Sequence, residues 1–145
     1  MAYVVSVNLS EQKGTVKKPV EAAELREGHG IVGDAHAGAW HRQVSLLALE
    51  SVEKMRSLCG ADLPYGVFAE NFLTQGIDLK TLPVGARLQV GPCVLKITQI
   101  GKECHGECEI RRKVGQCVMP TEGVFAVVVE GGSVQPGDEV ARLPG

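Results

Sequence analysis

The chain has 145 residues, a formal net charge of −2, and an ordinary balance of 44% hydrophobic and 22% charged residues. That length fits one domain, residues 1–145, able to bury its own core. The near-neutral charge, with no basic run longer than Arg111-Arg112-Lys113, argues against a general nucleic-acid surface, and no apolar run approaches the roughly 18 residues that span a bilayer.

The apolar opening, Ala2 to Val7, lacks a preceding basic region and is too short for a signal-peptide core, so a cytoplasmic protein is expected. Tyr3 to Asn8 alternates and is rich in Val, which predicts a first strand. Glu11 to Gly14 reads as a turn, and Val20 to Leu25 as a weaker strand. Gly28 to Gly38 is glycine-rich, follows no apolar period, and is expected to be an irregular functional loop. Gln43 to Ala48 reads as a strand or the start of a helix. Leu49, Val52, Met55 and Leu58 then repeat at helical spacing, with Gly60 as the stop.

Beyond Pro64 the pattern turns to short strands: Phe68–Thr74, Arg87–Val90, Val94–Ile100, Val124–Glu130 and Glu139–Leu143. Pro83 to Leu88 echoes Gln135 to Val140, each with a glycine turn just before a strand. Many short strands with regular turn signals predict a mainly β protein, a closed or nearly closed barrel with one or two short helices.

Five cysteines, Cys59, Cys93, Cys104, Cys108 and Cys117, are present. An odd count without a secretory signal disfavours a disulfide framework. Cys93 and Cys59 sit where a cysteine packs as a small hydrophobe. Cys104 instead lies in a polar loop, Gly101 to Cys108. Lys102, His105 and Arg111-Arg112-Lys113 favour its reactive thiolate, while Glu103 and Glu107 oppose it. Cys104, His105, Cys108 and Cys117 are also capable zinc ligands, but structural zinc sites usually show two close pairs, and only one is present.

A second group, Asp34, His36, His41 and Arg42, follows the glycine-rich loop, with Glu70 and Asn71 further on. Arg42 offers a fork of donors suited to a phosphate or carboxylate. Asp34 and Glu70 are able to hold Arg42 or His36 in place, either around a ligand or as a purely structural ion-pair network. No phosphate-loop or dinucleotide fingerprint occurs.

In order, Gly33-Asp34-Ala35-His36-Ala37-Gly38, His41-Arg42-Gln43-Val44-Ser45-Leu46-Leu47, Gly66-Val67-Phe68-Ala69-Glu70-Asn71-Phe72, Leu82 to Gly91, the Cys104 loop and Gly123 to Asp138 resemble the MOSC domain family, named for the C-terminal domain of molybdenum cofactor sulfurase. The resemblance implies a β-barrel-like fold and sulfur or molybdenum cofactor chemistry, and at family level it extends to molybdenum ion and pyridoxal phosphate binding. It implies that Cys104 carries sulfur as a persulfide; Cys108 and Cys117 depart from the family pattern and add nearby thiols, able to resolve the persulfide, to pair as a disulfide or, for Cys108, to be the carrier instead. It also implies that Asp34, His36, Arg42, Glu70 and Asn71 line a pocket for molybdopterin, the molybdenum cofactor. Arg42 would face its phosphate.

The function expected on this basis is a sulfur carrier or transferase. Its partners would be a cysteine desulfurase-type donor and a molybdoenzyme or cofactor-synthesis protein. The alternatives are a molybdopterin-binding module that leaves sulfur untouched, a zinc-stabilised domain, and, more remotely, a reductase of N-hydroxylated compounds.

Overall fold

The computed structural model describes residues 2–11, 17–59, 65, 66, 68, 70–101 and 123–144. Its strands are β1 (Ala2–Leu9), β2 (Lys18–Val20), β3 (Ala23–Arg26), β4 (Gly30–Ile31), β5 (Val44–Ala48), β6 (Phe72–Gln75), β7 (Arg87–Val90), β8 (Cys93–Ile100), β9 (Val124–Glu130), β10 (Gly132–Val134) and β11 (Glu139–Arg142). Helix α1 spans Leu49–Cys59, and one 3-10 turn spans Leu79–Thr81.

Seven strands close into a mixed barrel. The order runs β11-β7-β8-β9-β5-β6-β1, and β1 returns to β11 through Ala2 opposite Val140. All these pairings are antiparallel except β5 with β6, which lie on either side of the helical crossover α1. Strand β2 extends the sheet from the far end of β1. A small sheet, β10-β3-β4, lies beside the barrel.

Alternation explains the closure. In β7 and β8, residues buried inside the barrel alternate with residues turned outward: Leu88 and Val90, then Cys93, Leu95 and Ile97, face in. Val4, Val7, Leu46, Phe72, Val124, Ala126 and Val140 complete the interior. Strand β5 is buried on both faces, because α1 returns against β5 and β6. Closure also leaves the barrel strands without a long free edge.

The echo between the two glycine turns is real at the backbone level. Gly85 and Gly137 have φ of +97° and +95°. Pro83 O accepts from Ala86 N and Gln135 O from Asp138 N. This is the pattern of a type II turn, whose third position favours glycine.

Three sequence-based boundaries shift. The expected strand Val20–Leu25 divides into β2 and β3, which pair in different sheets. The expected strand Phe68–Thr74 begins only at Phe72: Glu70 turns its carboxylate onto the N–H groups of Gly66 and Phe68, and Asn71, whose backbone accepts from Asn8 N and donates to Ser45 O, stands at the entry to the ladder. The glycine-rich loop contains the two-residue strand β4, and β10 was not foreseen. Gln43–Ala48 resolves as strand β5, and Leu49–Leu58 as helix α1. Gly60 lies outside the described residues. No helix among the described residues is long and apolar enough to cross a membrane.

Candidate functional site

The turns between β4 and β5 carry a compact group of polar and planar side chains. At its base is a buried ion pair. Lys17 Nζ lies 2.7 Å from Asp34 Oδ1, and both side chains are fully shielded from solvent. Asp34 also accepts from the backbone N–H groups of Ser10 and His36, at 3.1 Å each. Burial pushes the Asp34 carboxyl up, but His36, the Lys17 ammonium and the Ser10 N–H outweigh it and hold the carboxyl well below the usual range.

Lys17 reaches a third group. Its Nζ lies 3.0 Å from His36 Nδ1. From there planar groups run outward. The His36 and Trp40 rings stack nearly parallel with centroids 6.4 Å apart, and Trp40 Nε1 donates to His36 O at 2.6 Å. The Arg42 guanidinium sits 4.8 Å from the Trp40 ring and 5.5 Å from the Phe125 ring, a cation against two aromatic faces. Arg42 Nε is buried and has no hydrogen-bond partner among the described residues.

His41 anchors this group to the barrel. Its Nε2 lies 2.8 Å from Gln99 Oε1, and Thr98 Oγ1 donates to His41 O. Thr98 and Gln99 close β8, and Gln99 Nε2 donates to Gly101 O. Cys104 is three residues along the chain from Gly101. Cys104, Cys108 and Cys117, with His105, lie outside the described residues.

Of the other expected site residues, Glu70 and Asn71 are built into the wall. Glu70 accepts from Gly66 N at 2.8 Å and Phe68 N at 3.1 Å. Its burial pushes the carboxyl up to about 7, against the pull of these N–H groups and of Lys17. Asn71 Oδ1 accepts from Ser45 N and Oγ, and its Nδ2 donates to Asn8 O. Asp34 and His36 thus share one cluster with Arg42 close by, while Glu70 and Asn71 hold the backbone at Gly66, Phe68, Ser45 and Asn8. Among the described residues neither carboxylate pairs with Arg42.

Sequence reasoning missed Lys17, Trp40 and Phe125. Lys17 sits in a Lys-Lys pair that reads as surface, and its burial comes from a backbone approach: Gly66 O accepts from Lys17 N at 2.8 Å. Trp40 was the one legible signal, as the chain's single tryptophan, set beside His41-Arg42. Cys93 behaves as the packing cysteine expected of it: burial, then the Asp138 charge, push its thiol up to about 11. Among the described residues, no group of three or more His, Cys, Asp or Glu side chains is arranged to hold a metal.

The model of the MOSC domain matches residues 33–141, three-quarters of the chain. Solved structures share the fold. YuaD from Bacillus subtilis is 18% identical, with a TM-score of 0.75 over 97% of this chain and 94% of that one. YiiM from Geobacillus stearothermophilus is 17% identical, with a TM-score of 0.78 over 99% of this chain and 76% of that one. YiiM from Escherichia coli is 16% identical, with a TM-score of 0.71 over 100% and 71%. No curated protein matches the sequence.

Proposed function

This chain belongs to the MOSC domain family, and from that premise we propose that it is a sulfur carrier that delivers sulfane sulfur to a molybdenum cofactor or another metal–sulfur acceptor. The Cys104 thiolate attacks the outer sulfur of a persulfide on a cysteine desulfurase-type donor. A new S–S bond forms on Cys104, the donor's S–S bond breaks, and the donor leaves as a thiolate.

Delivery needs two electrons, because sulfane sulfur leaves as sulfide. Cys108 or Cys117 supplies them by attacking Cys104 Sγ. A disulfide forms between the two protein thiols, the outer sulfur departs as hydrosulfide, and a cellular thiol such as glutathione later reduces the disulfide. The acceptor, a molybdoenzyme or cofactor-synthesis protein or the cofactor it holds, is the substrate of this step.

The observation that carries the reading is Arg42. It is a cation whose buried Nε lacks a described acceptor. It packs on Trp40 and Phe125, next to the end of β8 from which the Cys104 segment continues. Such a guanidinium suits the anionic phosphate of a pterin cofactor, and the indole offers a flat apolar face to the ring system. A desolvated donor of this kind is costly unless an acceptor completes it, so the residues present fit an anionic ligand.

The test is sulfur loading. Purified protein is incubated with a cysteine desulfurase and L-cysteine, and its intact mass is measured before and after reduction. The expected result is a reducible gain of one sulfur atom in the wild type and none in Cys104→Ala. Undiminished loading of Cys104→Ala would end the assignment. Cys108→Ala or Cys117→Ala should load normally but release less sulfide. The rival module, which binds molybdopterin without handling sulfur, uses the same Arg42 cluster and no thiol. It predicts unchanged cofactor affinity in a variant lacking all five cysteines.

A further inference from the structure

Lys17 stands outside every motif that identified this site, yet it is the most deeply placed cation among the described residues of the cluster. Three observations define it. Its ammonium is fully buried, it lies 2.7 Å from Asp34 Oδ1, and it lies 3.0 Å from His36 Nδ1. With an ionised carboxylate at that distance, Lys17 is an ammonium, and an ammonium has only donors. The group facing it on His36 must therefore accept.

The alternative would have His36 Nδ1–H donating to Asp34. The Nδ1 to Asp34 Oδ2 distance is 3.7 Å, beyond hydrogen-bond range. Asp34 Oδ2 is already engaged by the backbone N–H of His36. The ring proton is thus left to Nε2, on a side chain that is one-quarter exposed. Trp40 fixes the ring from the side, by stacking on it and by donating to His36 O.

We propose that Lys17 is a positioning residue: it locks His36 in the Nε2–H tautomer, so that the imidazole presents an N–H donor, beside the Trp40 ring that also carries Arg42, to an anionic oxygen or sulfur. In the opposite tautomer His36 would present a lone pair, which repels an anion. Asp34 holds Lys17 in place, and the tautomer of a histidine is set by the hydrogen bond on its other nitrogen. This rests on reading the cluster as an anion site, as in the proposed function. It does not depend on sulfur loading at Cys104.

The experiment uses the full chain and reads the His36 ring by long-range 15N–1H correlation at neutral pH, with inorganic phosphate as the anionic probe. The expected wild-type spectrum shows a protonated Nε2 and an unprotonated Nδ1, with phosphate shifting the Nε2 resonance. Lys17→Arg, which keeps a donor, should retain this pattern. Lys17→Met should move the ring toward the Nδ1–H form and weaken phosphate binding about tenfold, the loss of one charge-assisted contact.

A wild-type ring with its proton on Nδ1 would overturn the proposal, and this result needs no variant to fold. Retention of the Nε2–H form in Lys17→Met would overturn the role of Lys17. A wild-type Nε2 untouched by phosphate would overturn the anion-facing part. Failure of Cys104 to load sulfur would instead count against the carrier function and leave the ring spectrum as it is.

Discussion

Replacing Asn71 by alanine should destabilise the barrel rather than merely weaken ligand binding. Asn71 is fully buried just before β6, between β1 and β5. Its amide serves both neighbours: Ser45 N donates to it at 2.9 Å, and it donates to Asn8 O at 3.1 Å. Alanine leaves one buried N–H and one buried carbonyl without these partners, and each such orphan costs about 1–3 kcal/mol. Ser45 Oγ, which also reaches Asn71 Oδ1, can turn to another acceptor and adds little.

The expected loss is about 3 kcal/mol, which lowers Tm by roughly 10 °C in a domain of this size. Thermal unfolding followed by circular dichroism measures it. A variant that melts within about 3 °C of wild type would show that the amide does not hold these strands. Asn71→Asp sharpens the test. It keeps the acceptor but cannot donate to Asn8 O, so it should be at least as damaging as alanine.

The remaining predictions concern the ionisable pair and the close backbone approaches. Asp34→Asn should cost about 3–5 kcal/mol in a urea titration at neutral pH, since it leaves the Lys17 ammonium buried without its counterion. Asp34, with its folded pKa lowered, contributes stability that is present above its unfolded value and fades as pH falls through the folded one. Glu70 runs the other way: with its folded pKa raised to about 7, its contribution is full below its unfolded value of 4.5 and is lost as pH rises to and through 7. Unfolding free energies from urea titrations at pH 5 and pH 8 should therefore differ by about 2.5 kcal/mol from Glu70 alone, and Glu70→Gln should flatten that slope. Gly66→Ala should cost more than about 2 kcal/mol, because φ is +90° and a Cβ would collide with the Lys17 carbonyl. Gly85→Ala, with φ of +97° and open space around it, should cost only the roughly 1–2 kcal/mol of the left-handed conformation.

The parts of this fold that could be read from the sequence are those whose physics is local. Apolar residues alternate along β7 and β8 because one face of each meets the barrel interior, and a period of two needs no knowledge of the partner strand, while β9 reads as a short continuous apolar run. The turns at Gly85 and Gly137 were legible for the same reason, since glycine reports the backbone angle at its own position. Glu70 and Asn71 misled the strand boundary because their side chains bond backbone groups of neighbouring segments, and where those segments lie depends on strands that pack there from elsewhere. His36 and Arg42 could be named from their chemistry. Their neighbours could not, because Lys17 and Phe125 reach the cluster from opposite ends of the sequence.

That division bears on how the site is made. The residues with chemical reach, His36, His41 and Arg42, sit in turns between β4 and β5, where a short segment would ordinarily be pliable. Each is tied instead to a rigid part of the barrel: His36 through Lys17 and Asp34, His41 through Thr98 and Gln99 on β8, and Arg42 through Trp40 and Phe125. Lys17 is itself tied to Gly66, whose N–H is held by Glu70. The order of support therefore runs from Glu70 through Gly66 and Lys17 to His36. A charge removed at Glu70 reaches the imidazole through backbone placement and through its electrostatic pull on Lys17, but Lys17 stays an ammonium on Asp34 either way. It follows that Glu70→Gln should leave the His36 tautomer unchanged even where it alters stability, whereas Lys17→Met should change the tautomer directly. A shared response to both substitutions would mean that the ring follows the general packing of the loop, and the distinct role of the lysine would fall.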